Sequence, residues 1–555
     1  MGSSRGDILP ADETLSSSAN AVDDGDYTLS FDGRGLDQEY VTRFMATNAD
    51  QKESAILTIS SIADGYGREF RLAPGQSIIT EELTREMHLD GVKALRINVE
   101  GRKGAVYSLF KTMASGMPSA GPVMPIRRKN DLLGGDDLSS IDSWMGFAST
   151  AKTNGHPQLP DFNADLRTNI AAYGLSDAEI AKLSLNVGAG FSGIHVEDIY
   201  LSNNAKYRND FARDDANGSF LGTPGARLNM PGVNLFGEAS GGKTFVTTTL
   251  MLPGGDGVSD PGYSARKGPR MGVASAPASQ RMSLDEMMRW MPVERITHNE
   301  ADERRRIIAA DTGGMTALST HPTVQEPRFL IPGVCDKVNG IHGGFDTMIQ
   351  WINPGDNGSA MGYITMRAYT RDGLHPVELW GVIPAGYSTG LANVFQKFGL
   401  PPNTYGLIEI MSTTGMHARA ITYHENQAGV VMATNNPVWT NDNFTNGFQR
   451  LFAPGVANTD GAVTNFGLYA PPGFDGNVRV AVFDEQNNLV GSSVRTVYGG
   501  RYMQESIKNV IGNTDMYNGR IEVIPLTYGL VFAGFGVRVD NFSGKGTPMT
   551  MWQMD

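Results

Sequence analysis

The strongest chemical signature in the chain is a phosphate-loop match. Gly237-Glu238-Ala239-Ser240-Gly241-Gly242-Lys243-Thr244 fits G-x-x-x-x-G-K-[ST]. That spacing wraps backbone N–H groups around phosphates at the start of a helix, with the lysine on the phosphates and the threonine on Mg²⁺. The helix is what the chemistry depends on. The run that follows, Phe245-Val246-Thr247-Thr248-Thr249-Leu250-Met251-Leu252, is β-branched and stops at Pro253. Such residues lose side-chain freedom in a helix and pack well on a pleated sheet. The segment therefore reads as a glycine-rich hairpin turn leading into a strand, with no nucleotide site.

Other reactive residue types are scattered. The nine histidines form no H-E-x-x-H element, and none lies close to the single cysteine, Cys335. This argues against zinc, and no G-x-S-x-G nucleophile elbow is present. A lone cysteine reads as a packed small hydrophobe and makes an intrachain disulfide impossible. No catalytic or cofactor-binding residue is assigned, and the chain reads as non-enzymatic. Acidic pairs at Asp23-Asp24-Gly25-Asp26, Asp136-Asp137 and Asp214-Asp215 offer the oxygen ligands that Ca²⁺ prefers, but without EF-hand spacing. They read as solvated turns, with Ca²⁺ the one cofactor they could serve. Arg5-Gly6-Asp7 is too short a match to carry weight. Sequons begin at Asn217, Asn357, Asn443 and Asn541.

Bulk properties narrow the partners. The net charge of −13 on 555 residues repels phosphate backbones, which argues against nucleic acid. No run of about 18 apolar residues exists, so no transmembrane helix is expected. Residues 1–26 are rich in Gly, Ser, Asp and Ala, lack the apolar stretch of an intact signal peptide, and read as a flexible arm.

The elements that must position any site come from an internal repeat. Arg328-Phe329-Leu330-Ile331-Pro332-Gly333-Val334 matches Arg450-Leu451-Phe452-Ala453-Pro454-Gly455-Val456. Alternating strands then follow in the same order: Tyr363 to Tyr369 against Val478 to Phe483, Gly406 to Ile410 against Arg520 to Val523, and Ala418 to Tyr423 against Leu530 to Phe535. A shorter copy near the N-terminus offers Val41 to Asn48, Ser54 to Ile59, Leu95 to Val99 and Ala105 to Leu109. Six or seven short strands in roughly 90–110 residues indicate an antiparallel sandwich. The expected fold is mainly β: tandem Ig-like or jelly-roll-like β-sandwich domains with a mixed, partly helical central insert. The expected boundaries are an arm at 1–26, sandwiches at 27–115, 328–436 and 437–555, and a central region at 116–327.

Within the central region, Ser176 with Glu179 caps a predicted short helix running through Leu183. Ser283 with Glu286 caps a second, and Thr297 with Glu300 caps a third that ends near Gly313. The second carries Met287, Trp290 and Met291, a soft apolar face suited to a core or a partner. With the strand Tyr27-Thr28-Leu29-Ser30-Phe31, which leads out of the arm, these give the candidate assembly contacts: Tyr27, Leu29, Phe31, Met287, Trp290 and Met291.

Three pieces, Thr464-Asn465-Phe466-Gly467-Leu468, Val478 to Asp484 and Arg520-Ile521-Glu522-Val523, together resemble the sandwich repeats of large secreted or surface-attached bacterial proteins. The N-terminal copy keeps only Thr47-Asn48 of the first. The resemblance implies a fold and an extracellular setting, and carries no catalytic residue. The resulting expectation is a structural subunit of an extracellular or virion assembly: a capsid, spike, fibre or surface filament that associates with itself. The competing reading is an adhesin that holds a glycan or receptor. Aromatics clustered on one sandwich face or loop tip would favour it, with Trp351, Trp380, Trp439 and Tyr405 as candidates.

Overall fold

The computed structural model describes residues 20–34, 39–114, 121–129, 132–134, 141–148, 167–175, 181–188, 194–201, 205–212, 233–240, 242–252, 256–260, 263–265, 293–311, 328–340, 343–353, 361–384, 388–412, 417–425 and 431–554. These are mainly strands in antiparallel sheets, as the alternating sequence pattern requires.

The strands group into four units with one topology. In each, the fourth, third, sixth and first strands make one sheet in that order, and the fifth, second and seventh make the other. The seven strands of the first unit run from Asp26–Arg34 to Val106–Ala114, and those of the fourth from Arg450–Asn458 to Ala533–Asp540. The third unit runs from Arg328–Asp336 to His417–Glu425. A short helix bridges the fifth and sixth strands in these three, at Leu83–Glu86, Val394–Phe398 and Lys508–Ile511.

The remaining unit lies in the central region expected to be a mixed, partly helical insert. Its strands run from Ile141–Ala148 to Thr244–Met251 in the same sheet order. Ala181–Gly188 is its third strand, so the helix expected through Leu183 is absent there. Leu183 instead pairs with Ile199 and Ala239 on either side. The cross-strand ladder satisfies the backbone groups of this strand on both flanks, which holds 181–183 extended. The helix expected at Thr297 does form, as His298–Asp311. The Thr297 N–H donates to Glu300 Oε2 (2.8 Å), and the Glu300 N–H donates back to Thr297 Oγ1. The segment 283–292 lies outside the described residues.

The Pro-Gly repeat has a physical cause. In both copies the first strand slips register at that point, between Pro332 and Val334 and between Pro454 and Val456. Gly333 and Gly455 sit at φ of +69° and +76°, a conformation that L side chains rarely adopt. Past this bulge the strand turns toward the second sheet. There a threonine hydroxyl on the second strand accepts a first-strand N–H: Thr42 from Phe31, Thr347 from Cys335 and Thr464 from Ala457. The counterpart of Thr464 in the first unit is thus Thr42, rather than Thr47.

Contacts between units close in a cycle. Tyr173 and Phe245 of the second unit enter the core of the first. Leu250, Leu252 and Val258 pack on Met348, Ile421 and Ala433 of the third. Tyr369 of the third meets Tyr469 of the fourth with ring centroids 5.2 Å apart. Phe452 of the fourth then stacks on Tyr107 of the first at 5.1 Å, and Arg520 donates to the Gly75 carbonyl at 2.9 Å.

Candidate functional site

At one end of the fourth unit, four loops come together. The strand registers place the ends of the second, fourth and sixth strands beside the starts of the first, third, fifth and seventh. Residues 443–449, 470–475, 498–501 and 526–532 therefore share one face. Eleven large apolar side chains are exposed among the described residues, and five of them are here: Phe448, Phe474, Tyr498, Leu526 and Tyr528. That concentration on connecting loops is what separates a contact surface from ordinary scattered exposure.

The loops are held firmly. Thr445 donates its N–H to the Phe532 carbonyl (2.9 Å), and its hydroxyl accepts the Phe532 N–H (3.1 Å). The Asn446 side chain accepts the N–H groups of Phe448 and Gln449, a local turn that fixes the loop. Gly447, at φ +91°, lies so close to Gly529 that a Cβ on it would stand 2.9 Å from the Gly529 Cα. Two glycines thus let the loops touch, and Phe448 and Tyr528 meet edge-to-face at 4.9 Å. These two rings are 63% and 85% exposed. On the other side, Gly499 donates to Asp475 Oδ1 (2.6 Å), and Arg501 lies over the Tyr498 ring at 5.3 Å.

A cleft of about 420 Å³ lies between the third and fourth units, lined by Cys335, Tyr405, His424, Asn436, Gln504 and Phe535 among others. Burial pushes the Cys335 thiol up to about 12, and Thr347 Oγ1 lies 3.5 Å from its sulfur, so at neutral pH this is a packed thiol. Next to it, burial, a hydrogen bond with Asp346 and the charge of that neighbour push Asp336 up to about 6.

The sequence-derived candidates fall elsewhere. Leu29 is core, and Tyr27 packs against the same core. Phe31 meets Tyr40 at 5.5 Å. Their strand pairs with Gly91–Glu100 along Asp26 to Asp32 and turns onto Tyr40 and Glu39 at Gly33 and Arg34. It therefore belongs to its own unit's sheets. Met287, Trp290 and Met291 lie outside the described residues, as do Arg5-Gly6-Asp7, Asp136-Asp137 and Asp214-Asp215. Asp26 Oδ2 accepts the Asp23 N–H within its own turn. Among the described residues no group of three or more His, Cys, Asp or Glu is arranged to hold a metal ion. Trp351 and Trp439 are fully buried and Trp380 nearly so, while Tyr405 lines the cleft.

The phosphate-loop match is taken apart by the fold. Val233–Ser240 and Thr244–Met251 belong to different sheets, so they are not paired as the two arms of the expected hairpin. No helix starts at Thr244. Its buried hydroxyl donates to the Tyr173 carbonyl, and its backbone N–H donates to Leu133. The helix N-terminus that phosphate chemistry requires is missing at this position.

The aromatic loop end was not singled out from the sequence. A signal existed: each ring adjoins a glycine turn, as in Gly447-Phe448, Gly473-Phe474, Tyr498-Gly499 and Tyr528-Gly529.

No protein-family model matches the chain, and no curated protein does. Among solved structures, the α-L-rhamnosidase of Streptomyces avermitilis, solved with L-rhamnose, aligns over 88% of this chain and 54% of its own at 7% identity. The TM-score is 0.14, so the likeness bears on neither fold nor function.

Proposed function

We propose that the protein is a non-enzymatic structural subunit of an extracellular or virion assembly, and that it meets neighbouring subunits through the loop end of its fourth unit. The observation that carries this reading is the gathering of Phe448, Phe474, Tyr498, Leu526 and Tyr528 on one rigid end. Large rings on pre-ordered loops lose little conformational freedom on binding and bury much apolar area. Four sandwiches joined in a closed cycle suit a load-bearing part. The net charge of −13 opposes crowding of subunits, so association strengthens with salt.

Sedimentation velocity and electron microscopy of the purified protein across salt concentrations test the proposal. Wild type forms oligomers or polymers, and Phe448→Ser with Tyr528→Ser weakens them while leaving the circular dichroism unchanged. A wild type that stays monomeric at high concentration overturns it.

The same aromatic pair also favours a second reading, an adhesin whose loop end holds a glycan or receptor, since rings on loop tips stack on sugar faces. Saturable binding to a glycan array by a monomeric wild type, lost in the double variant, would select this reading over assembly.

A further inference from the structure

Every sandwich of this topology leaves its fourth strand at the end of a sheet, and the units treat that edge differently. In the first unit the edge is Gly67–Leu72, where Arg68, Glu69 and Arg71 place charges along it. Charged side chains are a standard guard against edge pairing. In the third unit the edge is filled. Glu294–Thr297, from the segment before that unit, adds antiparallel to Val377–Trp380. Its Arg295 then donates to the carbonyls of Gln396 and Lys397 at the end of the short helix.

In the fourth unit the edge, Leu489–Val497, is neither guarded nor filled. Among the described residues it pairs only with Gly476–Phe483. It carries one charge, Arg495, already held by Glu505. Leu489 and Val494 are exposed apolar residues on it.

The ladders fix which residues correspond. Pro332 pairs with Leu407 and Pro454 with Arg520, which sets Glu409 against Glu522 two residues on. Arg367 pairs with Glu409 and Glu378, and Ala481 pairs with Glu522 and Ser492. Counting along the fourth strands from the matching third-strand pairs, Glu378 falls on Ser492 and Val377–Trp380 fall on Gly491–Val494. The site where the third unit accepts an added strand is thus the open stretch in the fourth.

We infer that Gly491–Val497 is a self-pairing edge, at which a second copy of this chain adds its own Gly491–Val497 antiparallel across a two-fold axis. This rests on the assembly reading and names a contact within it. Three features favour a second copy as the occupant. The register slip near Leu489 leaves Gly491–Val497 as the regular part, and its centre is Val494. Pairing about that centre sets Val494 against Val494, Ser493 against Arg495 and Gly491 against Val497, so no two like charges are opposed. In a chain of net charge −13, an edge whose only charge is neutralised is also where two copies approach with least repulsion.

Val494→Lys and Val494→Glu test this, each alone and mixed one to one, with sedimentation equilibrium as the readout. Val494 is exposed, so circular dichroism should match wild type. Each variant alone places like charges face to face and should raise the dimer dissociation constant at least tenfold. The mixture opposes Lys to Glu and should restore it. Ser493→Cys and Arg495→Cys, mixed under oxidising conditions, should form a disulfide-linked heterodimer; buried Cys335 supplies the background control. If wild type associates but the charge variants do so equally well, with no cross-link, the edge is overturned and the assembly reading stands. If wild type never associates, both fall.

Discussion

Asp256 and Lys545, 289 residues apart in the chain, form a buried salt bridge in which both carboxylate oxygens lie within 2.9 Å of the ammonium. The same carboxylate accepts the N–H of Gly121 on one oxygen and of Ala433 on the other, each at 2.8 Å. One side chain of the second unit thereby holds the segment after the first unit, the third unit and the fourth unit together. Breaking a buried pair leaves the surviving charge without compensation, typically at about 3–5 kcal/mol. Asp256→Ala should lower stability by about that much and loosen all these junctions. Lys545→Met should cost less, because Gly121 and Ala433 still donate to Asp256. Urea unfolding of the two variants checks the order, and equal losses would refute it.

Gly447→Ala should cost roughly 1–2 kcal/mol. The position needs positive φ, and the new Cβ would meet Gly529. The two loops should part, separating Phe448 from Tyr528. Thermal unfolding and aromatic-ring NOEs between the two side chains report each effect.

Asp336 gives a pH signature. An acid raised to about 6 in the fold keeps its proton where the unfolded chain has already lost it. Stability therefore falls as pH rises from about 4 to about 6, and this contribution is level above that. Asp336→Asn removes the penalty, so its melting-temperature advantage over wild type should grow between pH 4 and 6.5 and then hold constant. An advantage independent of pH would refute the assignment.

The arm can be separated from the first strand. Removing residues 1–31 strips Asn20–Val22 and most of Asp26–Arg34, taking Val22 and Leu29 from the core. Far-UV circular dichroism should lose strand signal and the melting transition should drop. Removing 1–19 keeps both strands and should spare the transition.

Much of the architecture was legible because alternation along strands is forced by two-faced burial. The pairs Tyr363 to Tyr369 with Val478 to Phe483, and Gly406 to Ile410 with Arg520 to Val523, are third and sixth strands of their units. The second unit was not legible as a copy. Its first and second strands are separated by residues 149–166, which breaks the spacing, and a helix-capping signature sits just ahead of its third strand. The loop-end aromatics were hidden for another reason. Tryptophan suggested a binding surface, yet Trp351 and Trp439 fill cores, while smaller rings beside glycines reach solvent. Which ring faces outward is decided by sheet packing that no local window contains.

The bond from Arg520 to the Gly75 carbonyl spans 445 residues. At a synthesis rate of about 5–20 residues per second, roughly 20–90 s passes between the emergence of its two ends. Throughout that interval Tyr107 and its surroundings on the first unit wait without the Phe452 surface that later covers them. The nascent chain thus carries an unsealed seam until the fourth unit has been made. Truncation anywhere before the fourth unit strands that seam permanently, so fragments that lack the fourth unit are expected to be aggregation-prone clients for chaperones.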